Sequence, residues 1–316
     1  STTKDYYRGE EQTFLTIPEW YLVFNPVEYA DFLDTGNNPS DFPFMKSINE
    51  YWALYDRVTT ISKDLYPDNS EYMTMLQVIG VSTTVEYMLK SLYENTLGRF
   101  TRWTASGQVT DEDIIIQQAA RDYSDFIFDV AWYEFEFTSW IRRIWTETDF
   151  FGPNFIRKFE RKIFFTLEYG FKSFYAKLIK FGAKTNYEQS DGLIYACIQK
   201  QGLPAAELPD NVKVIGEADD KLIISIPRWG QFTEAVKEMS GKGVSFLDIA
   251  GNSKISLTLI SQDSQDPLLD SMTHLFTSKV VSDQKKQRTA VLVDVINLSS
   301  TIKTLIANNY KVEHVY

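Results

Sequence analysis

The run FIRKFERKIFFTLEYGFKSFYAKLIKF, residues 155–181, decides how the first half of this chain is read. Phe155, Phe159, Ile163, Leu167, Phe171, Phe174, Leu178 and Phe181 step by three or four residues, the spacing of one helix face. Around that stripe stand Arg157, Lys158, Arg161, Lys162, Lys172, Lys177, Lys180 and Lys184 against only Glu160 and Glu168, a local charge of +6. The whole chain of 316 residues carries −11, so the remainder carries −17. A basic, aromatic-rich amphipathic helix suits anionic lipid headgroups, with rings at the interface and cations toward phosphate. The alternative is a helix whose stripe is core and whose cations pair with the acidic remainder, the commoner fate of an apolar stripe.

The helical period extends outward through most of residues 17–182. Pro18 suits the first turn of a short helix, and Pro26 is expected to stop it and start another through Glu28–Leu33. Further helices are expected over Phe44–Leu65, over Ser70–Trp103 with a bend near Gly80 or Gly98, and near Phe135–Trp145. Thr110-Asp111-Glu112-Asp113 reads as a capping box opening a helix to about Asp129.

After residue 186 the character changes. Of the 47 aromatic residues, 40 fall in residues 1–190 and only 7 in residues 191–316. That step, beside the polar stretch Lys184–Gly192, marks a boundary between a helical domain, 1–186, and an α+β domain, 187–316. Strands are expected over Leu193–Ile198, Val212–Ile215, Leu222–Ile226, Val244–Ile249, Ile255–Ile260, Ala290–Val295 and Val312–Val315. Helices are expected over Gln231–Ser240, closed by Gly241 and Gly243, over Asp266–Phe276 and over Leu298–Ala307. Asp219-Asp220 and Gly251-Asn252 read as hairpin turns. The order from Leu222 onward, strand–helix–strand, hairpin, helix, strand, is that of a ferredoxin-like fold, which by itself hosts many functions. The fold class is therefore α+β.

Composition removes several activities. An acidic chain lacks the net basic face that nucleic acid requires. One cysteine, Cys197 inside an apolar strand, allows neither a disulfide framework nor a cysteine zinc cluster. The two histidines, His274 and His314, both read as structural, and the helical domain has none for a di-iron or di-manganese site. No nucleophile elbow, phosphate loop or dinucleotide fingerprint is present, so no metal and no cofactor are expected.

Carboxylates set among aromatics are what chemistry remains. Glu19 stands beside Trp20 and Tyr21, and Glu134 and Glu136 alternate with Trp132, Tyr133, Phe135 and Phe137. Such a carboxyl, if desolvated, has its charged form disfavoured and can act as an acid in an aromatic-walled cleft. The competing reading pairs these glutamates with Arg142, Arg143, Arg157 or Arg161.

Several blocks resemble a family of uncharacterised bacterial proteins. They are Thr16-Ile17-Pro18-Glu19-Trp20-Tyr21, Val85-Glu86-Tyr87, Trp132-Tyr133-Glu134-Phe135, and Gly152-Pro153 with Arg157-Lys158-Phe159-Glu160-Arg161. The closing Val312-Glu313-His314-Val315-Tyr316 belongs with them. The resemblance covers most of the helical domain and the last residues. It implies an upstream membrane anchor and a place on the periplasmic face of the inner membrane, and it implies no activity. The chain starts at Ser1, consistent with removal of such a segment, and no stretch within it suits a spanning helix.

Together these readings lead to a non-catalytic, membrane-associated binding or scaffold protein of the bacterial envelope. Lys172, Lys177, Lys180 and Lys184 would face the membrane or a membrane-protein partner, and the α+β domain would serve self-association. The rival is an enzyme or a binder of small hydrophobic ligands or lipid. Its pocket would be lined by Glu19, Trp20, Tyr21, Trp132, Tyr133, Glu134 and Glu136.

Overall fold

A computed structural model describes residues 7–9, 11–65, 70–183, 192–200, 208–262 and 272–316. The chain forms two compact units, neither of them a single sequence block. One comprises residues 21–52 and 77–188 and is built of helices. The other joins residues 1–20 and 53–76 to the described strands of residues 189–316. A single cut at 186/187 therefore misses that the sheets carry helical segments from the first half of the chain. Inside that second unit Asn252 donates to the Arg8 carbonyl (2.8 Å), Ser256 to Thr13 (3.4 Å) and Arg57 to the Thr277 carbonyl (3.1 Å).

Helix α1 spans Glu11–Asp34 and runs through Pro18 and Pro26 without a break. Each proline removes one backbone bond. Burial of Phe14, Leu15, Ile17, Phe24, Tyr29, Ala30 and Leu33 on either side of them outweighs that loss. Helix α2 is Phe44–Leu65 and α3 is Ser70–Tyr93. A π-helical turn, Glu94–Gly98, then leads to a short α4, Arg99–Thr104. Gly80 lies inside α3 without a break, and a Cβ there would strike the Tyr51 ring and come within 2.9 Å of Trp52. Helix α5, Asp111–Phe126, opens on the capping box, with Thr110 and Asp113 exchanging side-chain-to-backbone bonds. Helix α6 is Phe137–Thr146 and α7, the longest, is Phe155–Ala183.

The strands form two four-stranded antiparallel sheets with the same connectivity. Strands β1 (Leu193–Gln199), β2 (Lys213–Ala218) and β3 (Lys221–Pro227), helix α8 (Gly230–Lys242) and β4 (Phe246–Ile249) give one sheet in the order β2-β3-β1-β4. Strands β5 (Lys254–Gln262), β6 (Met272–Lys279) and β7 (Lys286–Asp294), helix α9 (Leu298–Ala307) and β8 (Lys311–Val315) give the other in the order β6-β7-β5-β8. Among the described residues each half is thus a β-β-β-α-β unit whose last strand lies against its first, a structural duplication without a visible sequence repeat. Helices α8 and α9 pack on each other, and the core between the layers includes Ile224, Ile226, Val236, Met239, Leu257, Val291 and Ile302. Gly243 closes α8 with a left-handed φ of 84°.

Two expectations are corrected here. Residues 272–276 belong to strand β6, not to a helix, because they pair with β7 from Met272↔Val293 to Phe276↔Ala290. The rest of the expected helix, residues 266–271, lies outside the described residues. Gly251-Asn252 does not join two paired strands: β4 and β5 belong to different sheets. The elements laid out as one ferredoxin-like unit are therefore shared between two.

Candidate functional site

Helix α7 has two faces of opposite chemistry, and they point opposite to the usual way. Arg157, Arg161 and Lys162 are buried at 1%, 2% and 1% exposure, followed along the same face by Phe165, Tyr169 and Ala176. The apolar stripe faces outward. Phe155, Phe159, Leu167, Phe171, Phe174, Leu178 and Phe181 range from 42% to 79% exposed. The stripe is not core, and the cations are not a surface ridge.

Helices α3 and α5 and the π-turn supply the partners that make the inward face possible. Arg161 grips Glu94 with both terminal nitrogens, at 2.7 and 3.0 Å, and its Nε lies 3.0 Å from Asp113. Arg157 donates to Asp113 (2.8 Å), to Thr101 (3.1 Å) and to the Gly98 carbonyl that the π-turn presents (3.0 Å). Its fourth acceptor is Glu160, 3.3 Å away, which also takes hydrogen bonds from Thr101 (2.8 Å) and from the Tyr93 hydroxyl. Lys162 donates to the carbonyls of Ile144 and Thr148, both at 3.1 Å, and to the Thr148 hydroxyl, with Glu112 3.4 Å away. Buried charges are tolerated when paired in this way. Further along, Lys172 bridges Glu86 (2.8 Å) and Glu168 (3.2 Å), and Glu168 also meets Lys90 at 3.1 Å.

Electrostatics follow the pairing. Burial raises Glu168, but Lys90 and Lys172 outweigh it and hold the carboxyl down to about 2. Burial also opposes ionisation of Asp113, where Arg161 and Arg157 win and lower it. Glu160 is the exception: burial pushes it up to about 7, against the pull of Arg161.

Contacts between α3 and α7 run antiparallel: Glu86 to Lys172, Lys90 to Glu168, Tyr93 stacked on Phe164 at 4.1 Å, and Glu94 to Arg161. Helix α3 has its own outward stripe, Val78, Val81, Val85, Met88, Leu89 and Leu92, each at least half exposed. At 100° per residue, both stripes fall on the same side of that seam. Neither stripe contains a carboxylate. With aromatic side chains at roughly 150–250 Å² each, the joint patch is on the order of 1,000 Å² or more. The largest apolar patch on an ordinary monomer is about 300–600 Å². Phe100, Trp103 and Phe151, exposed at 53%, 75% and 75%, add to the apolar surface of this unit. Lys158 and Lys177 on α7 and Arg102 on α4 have no ion pair among the described residues.

The other candidates are divided between the two units. Glu19 accepts from Tyr72 (2.5 Å), and Trp20 is buried against His314, ring centres 3.5 Å apart, both in the sheet unit. Tyr21 belongs to the helical unit, where it donates to the Ser47 carbonyl at 2.9 Å. Trp132 stacks on Tyr175 and lies edge-on to Tyr133, Glu134 pairs with Lys180 at 2.9 Å, and Glu136 precedes α6 without a capping bond. Of the four lysines expected outside, Lys172 and Lys180 are engaged with carboxylates, Lys177 is exposed, and Lys184 lies outside the described residues. His314 is held by Thr233 (2.8 Å), and burial lowers its pKa well below the usual value. Burial likewise raises the Cys197 thiol, against a reactive thiolate. Among the described residues no three potential ligands gather into a metal site.

Sequence reasoning missed Glu94, Glu112 and Asp113 as partners and missed the outward stripe of α3. The α3 stripe was open to detection, since Val78, Val81, Val85, Met88, Leu89 and Leu92 keep helical spacing. The comparisons add no relative: no protein-family model, curated protein or solved structure matches this chain.

Proposed function

We propose that this is a non-catalytic binding protein that works at a membrane surface, docking through the outward apolar face of α3 and α7. The observation that carries the reading is the inversion of α7, with its ions paired inward and its Phe and Leu side chains outward. Where charged groups occur in lipid-facing helices they turn inward and pair, and α7 follows that rule. No helix among the described residues is long and apolar enough to cross a bilayer, so the contact is in the plane of the interface. Lys158, Lys177 and Arg102 are left to meet phosphates. A second copy of the same face would bring only like charges to them. The attraction is thus mainly apolar, where the sequence had suggested a cationic one. This reading keeps the envelope location that the resemblance implies. Self-association through the sheet unit has edge strand β2 in its favour, with Val214 and Ile215 exposed.

The test is vesicle flotation. The wild type is expected to rise with phosphatidylcholine vesicles as well as with anionic ones. The triple variant Leu167→Asp, Phe171→Asp, Phe174→Asp should stay at the bottom of the gradient, and Lys158→Glu with Lys177→Glu should still float on the neutral vesicles. A wild type that floats with neither composition overturns the reading.

A further inference from the structure

Behind the docking face lies a buried joint whose charges do not cancel. Glu160 sits where α7 meets the π-turn and α4, and only 5% of it is exposed. Facing it are Tyr93 and Glu94 from α3 and its π-turn, Thr101 from α4, Asp113 from α5, and Arg157 and Arg161 from α7 itself. Tyr29 of α1 feels the charges of Glu94 and Arg161 in turn. The neighbouring Lys162–Glu112 pair balances on its own. Two guanidinium groups therefore face three carboxylates, Glu94, Asp113 and Glu160. One proton would make the joint neutral.

We infer that Glu160 is a proton-binding site that tightens the joint when occupied and loosens the first turns of α7 when empty, so that pH governs how the docking face is held. The geometry selects Glu160 among the three acids. Glu94 has a bidentate arginine and Asp113 has two close arginines, whereas Glu160 has one 3.3 Å hydrogen bond from Arg157, a more distant Arg161 at 3.8 Å, and two hydroxyl donors. Its pKa, pushed up to about 7 by burial, sets the range in which the proton would come and go. The proton is taken from water onto a carboxylate oxygen, and nothing else is exchanged. Single π-turns inside helices recur at functional sites. This one supplies both Glu94 and the Gly98 carbonyl to the joint.

The regulatory part of this inference rests on the docking function proposed above; the proton site itself does not, and the two are tested separately. Thermal midpoints of the wild type and of Glu160→Gln are compared between pH 6 and pH 8. The wild type is expected to lose about 3–6 °C relative to the variant over that range. Tyr93→Phe keeps the stacked ring but removes one donor to the ionised carboxylate, and should move the step to higher pH. A Glu160→Gln profile that keeps the whole step, or a Tyr93→Phe step left in place, overturns the proton site. Flotation with phosphatidylcholine at both pH values then reads the coupling. Wild-type binding that changes with pH, and does not change in Glu160→Gln, supports it; equal binding of both proteins at both pH values overturns it. A wild type that never floats would sink the docking function while leaving the thermal step as an independent result.

Discussion

At the scale of single residues, this protein is decided by groups whose partners are far away in sequence. Arg161 is 2% exposed and answers to Glu94, 67 positions upstream. Arg161→Ala would leave Glu94 and Asp113 buried with too little positive charge, so a loss of about 3–5 kcal/mol is expected in urea unfolding. A second test is Gly80. On propensity, Gly80→Ala in α3 should stabilise by about 1 kcal/mol. The Tyr51 and Trp52 rings occupy the space its Cβ needs, so a net loss of about 1–3 kcal/mol is expected from overpacking. The capping box at Thr110 was legible because a cap is a local pattern, closed within four residues. The second duty of Asp113, receiving Arg157 and Arg161, was not legible, since nothing local announces a partner 44 residues on. Glu19 shows the same limit: its aromatic neighbours in sequence say nothing of Tyr72, which occupies its carboxylate.

At the scale of elements, periodicity located the helices well and left their orientation open. Helix α2 begins and ends where the spacing predicts, and α7 differs from expectation by a residue or two. A helix with an apolar face and a charged face shows one repeat, whichever face turns inward. Only the acids waiting on α3, the π-turn and α5 choose between them. The proposed test at this level contrasts the two faces. Phe171→Ser and Phe174→Ser, both more than 60% exposed, should change unfolding free energy by no more than about 0.5 kcal/mol. Tyr169→Ala on the inner face, 5% exposed, should cost about 3–5 kcal/mol. Equal losses on both faces would show that the outward stripe is packed after all. In the sheets, β6 escaped notice for a related reason. Met272-Thr273-His274-Leu275-Phe276 fits either period, and pairing with β7 settles it.

At the scale of the whole molecule, the ionisable groups pull stability in two directions. Glu168 and Asp113 are held below their ordinary values, so the stability they give is present above the carboxylate range and lost as pH falls through it. His314 is buried in its neutral form, and its contribution is likewise lost as pH falls below its usual 6.5. Glu160 is raised from 4.5 to about 7, so its contribution is complete in acid and disappears as pH rises across that interval. The thermal midpoint should therefore peak between about pH 4.5 and 7, and Glu160→Gln should carry that peak toward higher pH. A wild-type midpoint still climbing at pH 8 would contradict this. The α+β class was readable from composition and turn residues, whereas the duplicated five-element topology was not, since topology survives in strand order after side chains have diverged. The inverted helix also has a mechanical corollary. Rolling α7 half a turn to hide its phenylalanines would strand Glu94, Glu112 and Asp113 in the interior without their cations. Water therefore cannot coax the greasy side under cover, and the protein keeps that surface open.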